Sequence, residues 1–391
     1  MEKRKMEKLG IETSLLGFGC MRFPTLPDGK IDEAEAERML DRAIAAGVNY
    51  IDTAYPYHNG QSEPLVGKVL KKYDRDSFYL ATKLPLWAVN SVEDAERIFN
   101  EQLERLQTDH IDFYLLHAVN KEKWNQMKEL GVVDYCAKLK EEGKIRYYGF
   151  SFHDDYEVFE EILHYRQWDF CQIQYNYLDE HTQAGRKGLE AAAARGIPVI
   201  IMEPLRGGRL ISGLPPAARQ RVAESGRSAA EWGLRWLWDQ PGVTVVLSGM
   251  NSLEMVRDNA AAASRAAPGC MTPEEHAFVD GLRADLQAAM RVGCTGCGYC
   301  QPCPAGVDIP GVFACYNRAA AEGRHAKSEY LRTTGLRRRG TGASQCVGCG
   351  KCEQHCPQHL PIRSLLKDAA RELEGPVYKA ARLGVRVLKL W

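Results

Sequence analysis

The 391-residue sequence predicts an α/β chain in which a (β/α)8 barrel is followed by a small, mainly α-helical, cysteine-rich domain. Three observations predict it. Eight short β-branched or aromatic runs alternate with longer amphipathic stretches over about 250 residues, the rhythm of a (β/α)8 barrel. The first run is not followed by the G-x-G-x-x-G turn usual in an open doubly wound sheet; Leu16-Gly17-Phe18-Gly19-Cys20 lacks the third glycine and the helix after it. Nine of the 13 cysteines crowd between Cys294 and Cys356.

The predicted strands are Leu16–Met21, Val48–Thr53, Phe78–Lys83, Ile111–His117, Ile145–Ser151, Phe170–Tyr175, Val199–Met202 and Thr244–Ser248. Helical patterns lie between them over 32–46, 62–72, 91–106, 137–142, 156–165, 188–195, 229–239 and 253–263. Ser91 and Asp94 form an N-cap and N3 pair, and Gly47, Gly143 and Gly196 stop three of the helices. Pro268-Gly269 breaks the pattern. Thr272-Pro273-Glu274-Glu275 then opens a connecting helix to about Met290. The expected domains are a barrel over 1–270, a connecting helix over 271–292, a cysteine-rich domain over 293–374 and a C-terminal helix over 375–391. That last segment carries Lys379, Arg382, Arg386 and Lys389 and no acid. Docking on the body of the protein is its expected role, with membrane-surface contact the alternative.

Composition narrows the function classes. Lys+Arg and Asp+Glu are 51 each, so no basic excess points to nucleic acid. No apolar run approaches the ~18 residues of a membrane helix, and the first residues lack a secretory apolar region. A cytoplasmic protein is expected. In a reducing compartment a dense cysteine cluster reads as metal binding or redox chemistry.

Catalytic groups of a barrel sit at the C-terminal ends of its strands. The second predicted strand ends at Asp52 and runs on through Tyr55-Pro56-Tyr57, the third ends in Lys83 and the fourth in His117. Asp-x4-Tyr, Lys and His in this order resemble the catalytic tetrad of the aldo/keto reductases. The resemblance covers the barrel, from Leu15-Leu16-Gly17-Phe18-Gly19 through Gly149-Phe150-Ser151, Gln174 and Pro204-Leu205 to Asp258-Asn259. It implies NAD(P)H-dependent hydride transfer to a carbonyl, or the reverse. A phenol titrates near 10, too high to donate readily at neutral pH, and an adjacent ammonium lowers it. Tyr57 is the implied general acid, with Tyr55 the rival phenol. Lys83 supplies the cation, Asp52 holds Lys83, and His117 orients the carbonyl oxygen.

The resemblance further implies cofactor contacts at Gly19, Met21, Ser151, Gln174, Met202, Pro204, Leu205, Gly207, Gly249, Ser252, Asp258 and Asn259, with Ser151 and Gln174 on the carboxamide. NADP is the expected form, with NAD the alternative. Phe152 replaces the Asn that usually follows the serine, Met202 the usual stacking aromatic, and Met255 the Arg that commonly pairs with the 2′-phosphate. Phe23 and Trp87 are candidates to line the substrate pocket, loop packing being their alternative.

The cysteine segment holds two runs. Cys346, Cys349, Cys352 and Cys356-Pro357 match the C-x2-C-x2-C-x3-C-P spacing of bacterial ferredoxins; Cys294, Cys297, Cys300 and Cys303-Pro304 are one residue shorter before the last Cys. Such runs hold two [4Fe–4S] clusters, the Cys before Pro ligating the other cluster. The implied sets are Cys294, Cys297, Cys300 with Cys356, and Cys346, Cys349, Cys352 with Cys303. Zinc, which takes separated C-x2-C pairs, fits less well. Cys315 lies outside both runs and is expected to pack in a core. Helical stretches near 311–322 and 326–331 resemble an α-helical ferredoxin. Together the parts resemble aldo/keto reductases with a C-terminal ferredoxin-type domain. A nicotinamide moves two electrons at once and a cluster accepts one, so three readings stand. The clusters support or sense redox beside a carbonyl reductase; they exchange electrons with it through a relay or an electron-transfer protein partner; or the chain is mainly an electron-transfer module whose barrel no longer reduces carbonyls. The substrate is a small carbonyl or alcohol.

Overall fold

A computed structural model describes residues 1–336 and 339–387. Its contacts divide the chain into two compact units. One comprises Met1–Pro204 and Ala230–Pro273; the other comprises Leu205–Ala229 together with the chain from Glu274 on.

The first unit opens with an antiparallel hairpin, β1 (Lys3–Met6) and β2 (Ile11–Ser14). Then come β3 (Leu16–Gly19), β4 (Tyr50–Asp52), β5 (Tyr79–Pro85), β6 (Ile111–Val119), β7 (Ile145–Phe152), β8 (Phe170–Gln174), β9 (Val199–Met202) and β10 (Val243–Ser248). These eight are the predicted runs. They pair in parallel in chain order and close where β10 meets β3. Buried on both faces, they read as continuous apolar stretches; in β6 every residue but Ala118 is buried. Met6, Tyr50, Phe113, Phe170 and Leu247 cluster where the strands begin, with Tyr50 and Phe113 edge-to-face at 4.9 Å. That end is plugged, which leaves the C-terminal ends for chemistry.

The hairpin was not expected, because Lys3-Arg4-Lys5 shows little apolar signal. Its anchor is non-local: Arg4 donates to the Gln240 carbonyl at 2.9 Å and to those of Trp238 and Val243. The helices follow their caps. Asp32 accepts from Glu35 N at 3.1 Å to start Glu33–Ala45, and Ser91 accepts from Asp94 N at 3.3 Å to start Val92–Leu106. A helix over Lys121–Glu129, capped by Asn120, was missed, and the helix expected over 137–142 runs over Val132–Glu141.

The second unit is mainly helical, as expected. Its helices include Pro216–Glu224, Ile309–Glu322, Arg324–Tyr330, Ile362–Leu373 and Pro376–Val387. They bury Val292, Val307, Phe313, Tyr330, Leu366 and Leu373 together. Pro216–Glu224 was not anticipated because Pro215-Pro216 reads as a break, yet proline is tolerated at the first helical position. Ile362–Leu373 was also missed, although Ile362, Leu366, Ala369 and Leu373 bury one face at helical spacing. Residues 205–229, expected in the barrel, group by their contacts with the cysteine-rich unit. Of the expected tail helix, Lys389 and the Arg386 side chain lie outside the described residues.

Candidate functional site

Asp52 ends β4, and Lys83 and His117 lie near the ends of β5 and β6. All three are buried. Lys83 Nζ donates to Asp52 Oδ1 at 2.7 Å and to the Thr53 carbonyl at 2.8 Å. Tyr57 follows β4 in a tight turn whose next two residues, His58 and Asn59, have φ of 51° and 55°. Lys83 Nζ lies 5.2 Å from the Tyr57 ring centroid, and the Tyr57 and His117 rings meet edge-on at 6.2 Å. Tyr55, the rival phenol, instead donates to Glu101 at 2.9 Å under the Arg105 guanidinium.

The electrostatics differ from expectation on one point. Burial, followed by the nearby Asp52 charge, pushes the Tyr57 phenol well above its ordinary value, so the expected lowering by Lys83 is not met. Lys83 is committed to Asp52 and Thr53. Burial raises the Asp52 carboxyl while Lys83 opposes the rise. Burial, with the Lys83 charge beside it, drives His117 well below its ordinary value, so its imidazole is neutral. His117 Nδ1 and Asp52 Oδ2 are buried without a hydrogen-bond partner. Neighbours that sequence reading did not single out also bear on the phenol: Cys20 and Glu203 raise it and Arg22 lowers it. Only closure of the barrel, with β10 between β9 and β3, brings them near.

The expected cofactor residues divide between the units. Gly19 ends β3, and a Cβ there would lie 3.3 Å from the Ser248 carbonyl and 3.6 Å from Gly249 N. Met21 follows in a 3-10 turn. Ser151 is buried, and its Oγ accepts from Ala118 N at 2.8 Å, holding the residue after His117 at φ 54°. Gln174 ends β8 in register with Met202 and donates to Asp179 at 3.1 Å. Pro204 is buried two residues past β9. Gly249 and Ser252 lie on the turn after β10, Ser252 capping the helix Leu253–Ala263. Asn259 donates to Ser248 Oγ at 3.1 Å, and exposed Asp258 pairs with Arg257 at 3.2 Å. Leu205 and Gly207 belong to the second unit. Trp87 is 47% exposed and tilts over His117 at 5.1 Å, whereas Phe23 is buried against Phe18 at 5.8 Å.

In the second unit, Cys294, Cys297, Cys300 and Cys356 line one small void, with Phe313, Pro357 and Leu360. Cys303, Cys346, Cys349 and Cys352 line another, with Pro304, Val347, Arg363 and Leu366. None of the eight is joined in a disulfide. Gly296, Gly298, Gly348 and Gly350 turn the two loops with φ of 73–87°, conformations that only glycine adopts without strain. Burial and the neighbouring Cys297, Cys294 and Cys356 push the Cys300 thiol up to about 12. A cationic iron–sulfur core would take these cysteines as thiolates. Cys315 is buried in the helical core, Arg318 3.8 Å from its sulfur.

The first loop has a clasp that sequence reading overlooked. Arg206 donates to the Gly293 carbonyl at 3.1 Å, and Arg209 to the carbonyls of Cys294 at 3.0 Å and Pro310 at 2.7 Å. Two arginines within a glycine pair, Arg206-Gly207-Gly208-Arg209, were the available signal.

The chain belongs to the aldo/keto reductase family, whose family model matches residues 15–268. A 4Fe-4S dicluster domain model matches residues 293–360. The chain is an oxidoreductase-family barrel joined to a dicluster domain. It is 28% identical over 296 residues to the uncharacterized oxidoreductase YqkF of Bacillus subtilis, covering 68% of this chain and 92% of that one. It is 27% identical over 316 residues to the NADH-specific methylglyoxal reductase of Escherichia coli, covering 67% and 93%. Among solved structures, aldo-keto reductase AKR11C1 of Bacillus halodurans in its holo form superposes with a TM-score of 0.61 at 29% identity, covering 72% and 96%. Among the described residues no helix is long and apolar enough to cross a membrane.

Proposed function

We propose that the barrel is a cytoplasmic NAD(P)H-dependent carbonyl reductase, reversible toward the alcohol, and that the second unit carries two [4Fe–4S] clusters. The carrying observation is the buried Lys83–Asp52 pair at 2.7 Å beside the Tyr57 ring. The barrel suits a nicotinamide dinucleotide, since its strand ends carry buried polar atoms without a protein partner, His117 Nδ1 and Asp52 Oδ2, while Gly19 and Gly249 let the ends of β3 and β10 and the Arg22 side chain pack closely. Gly19, Met21, Ser151, Gln174, Met202, Pro204, Gly249, Ser252 and Asn259 are the residues that would hold it, and when bound it supplies the hydride. NADP is the proposed form; the NADH specificity of the Escherichia coli methylglyoxal reductase makes NAD the alternative.

The chain's own residues do the rest. Neutral His117 donates a hydrogen bond to the substrate oxygen and sets its direction. Tyr57 is protonated at neutral pH and passes its phenolic proton to that oxygen as negative charge develops there. The resulting phenolate is stabilised by the Lys83 ammonium, which Asp52 and the Thr53 carbonyl hold in place. Trp87 beside His117 borders the substrate and limits water.

Cys294, Cys297, Cys300 and Cys356 would hold one cluster, and Cys346, Cys349, Cys352 and Cys303 the other. Iron and acid-labile sulfide of about eight each per chain are expected of anaerobically purified protein. Replacing Tyr57 by Phe should lower NADPH-dependent reduction of a carbonyl panel by about 10²–10⁴-fold while cofactor binding persists. Reduction at the wild-type rate in this variant would eliminate the mechanism. A second reading, an electron-transfer module with a silent barrel, draws on Gln174 being engaged by Asp179. It predicts no carbonyl reduction at all in the wild type.

A further inference from the structure

The two cysteine-lined voids are unequal. The first is walled by Phe313, Leu360 and Ile362, and its loop is clasped by Arg206 and Arg209. The lining of the second is the more exposed to solvent. Cys349 is exposed, and Val347, two residues before it, is 73% exposed. Pro304, also at this void, is exposed as well. These make a small apolar tip directly over the thiols.

The rim of that tip carries more cations than acids. Between 339 and 368 the sequence has four Lys and Arg against two acids, Glu353 and Asp368, in a chain whose net charge is zero. Lys351 is exposed next to Cys352. Arg363 borders the void, with Glu353 held at 2.8 Å on its own guanidinium. Lys367 is exposed one turn further along the helix Ile362–Leu373, on the same face as Arg363. The loop of the first void, by contrast, has no Lys or Arg between Cys294 and Pro310.

We propose that the exposed edge of the second cysteine site, with Val347 at its centre and Lys351, Arg363 and Lys367 around it, is the docking surface for an acidic one-electron carrier protein. The inference rests on the reading that Cys303, Cys346, Cys349 and Cys352 hold an iron–sulfur cluster. Small, charge-steered contacts suit redox encounters, which must form and part quickly. Complementary charge raises the encounter rate, and the near-bare edge at Cys349 shortens the path to the cluster. Each encounter moves one electron from the carrier's reduced centre into the chain. The carrier is oxidised by one electron and the cluster reduced by one, with no bond made or broken and no proton taken up.

The test uses the full chain, anaerobically purified with its iron, and stopped-flow mixing with two reductants. One is a reduced acidic [2Fe–2S] ferredoxin; the other is reduced methyl viologen, a small cation that needs no docking face. Lys351→Glu/Lys367→Glu reverses two rim charges without touching a cysteine or the Arg363–Glu353 pair. At low salt the variant should bleach with ferredoxin about tenfold or more slowly, with a flattened salt dependence, while viologen still reduces it quickly. Equal ferredoxin rates in variant and wild type would overturn the docking surface. So would a wild type that viologen reduces and ferredoxin does not, and in both cases the cluster reading stands. Protein that binds no iron and bleaches with neither reductant would overturn the cluster reading and the docking surface with it.

Discussion

Replacing Lys83 with methionine tests the centre of the site. Lys83 and Asp52 are both almost fully buried and joined at 2.7 Å, and Asp52 Oδ2 has no other partner. Removing one member of such a pair strands a buried charge, at a cost of roughly 3–5 kcal/mol. For a barrel of this size that corresponds to a fall of roughly 10 °C in the melting midpoint. Protonation of Asp52, whose carboxyl burial already raises, should relieve part of the loss, so the deficit should shrink as pH falls toward 5. Lys83→Met/Asp52→Asn removes both charges and should recover most of the midpoint but none of the activity, because Tyr57 has lost the cation beside it. Tryptophan-fluorescence melting of all three proteins reads stability, and steady-state NADPH oxidation reads catalysis. The reasoning fails if the double variant melts no higher than Lys83→Met, or if either variant keeps the wild-type rate.

Three further outcomes are expected. Burial holds His153 down at about 4 in the folded chain against an ordinary 6.5. The unfolded chain therefore takes up a proton first as pH drops. Stability should hold above pH 7 and fall by about 3 kcal/mol between roughly pH 6.5 and 4, a loss that urea titrations of His153→Gln should show diminished. Cys356→Ala should remove the same cluster signal as Cys294→Ala, and Cys303→Ala the other, each taking about four irons per chain; loss of the Cys346 signal in Cys356→Ala would refute the crossed sets. Arg209→Gln leaves the Cys294 and Pro310 carbonyls short of a donor, each worth roughly 1–3 kcal/mol. Iron at the first site should then be lost faster in air, with Arg209→Lys intermediate.

Local patterns were legible in the chain itself. The eight strands, the cap at Ser91, and the strand-end positions of Asp52, Lys83 and His117 follow from alternation, capping residues and the barrel rhythm, all of which act over a few residues. The two cysteine runs are local in the same sense. Helices at 121–129 and 216–224 were lost to polar composition and a proline pair, although Asn120 and the first-turn proline are capping signals. The Ile362–Leu373 face was readable and went unread.

What the tertiary structure alone decided is long-range. Closure of β10 on β3 brings Cys20, Arg22 and Glu203 around Tyr57, and burial there raises the phenol that the sequence suggested Lys83 would lower. Desolvation is a property of everything packed around a group, so residue identity could not disclose it. Segments far apart in the chain put Arg4 against the carbonyls of 238–243 and the Ser151 hydroxyl against Ala118 N. Packing in the second unit sets Cys356 beside the first cysteine run and folds residues 205–229 onto it through Arg206 and Arg209. Composition could name the thiols and the tetrad; only the packed chain determines which groups share a void, which are buried, and which face water.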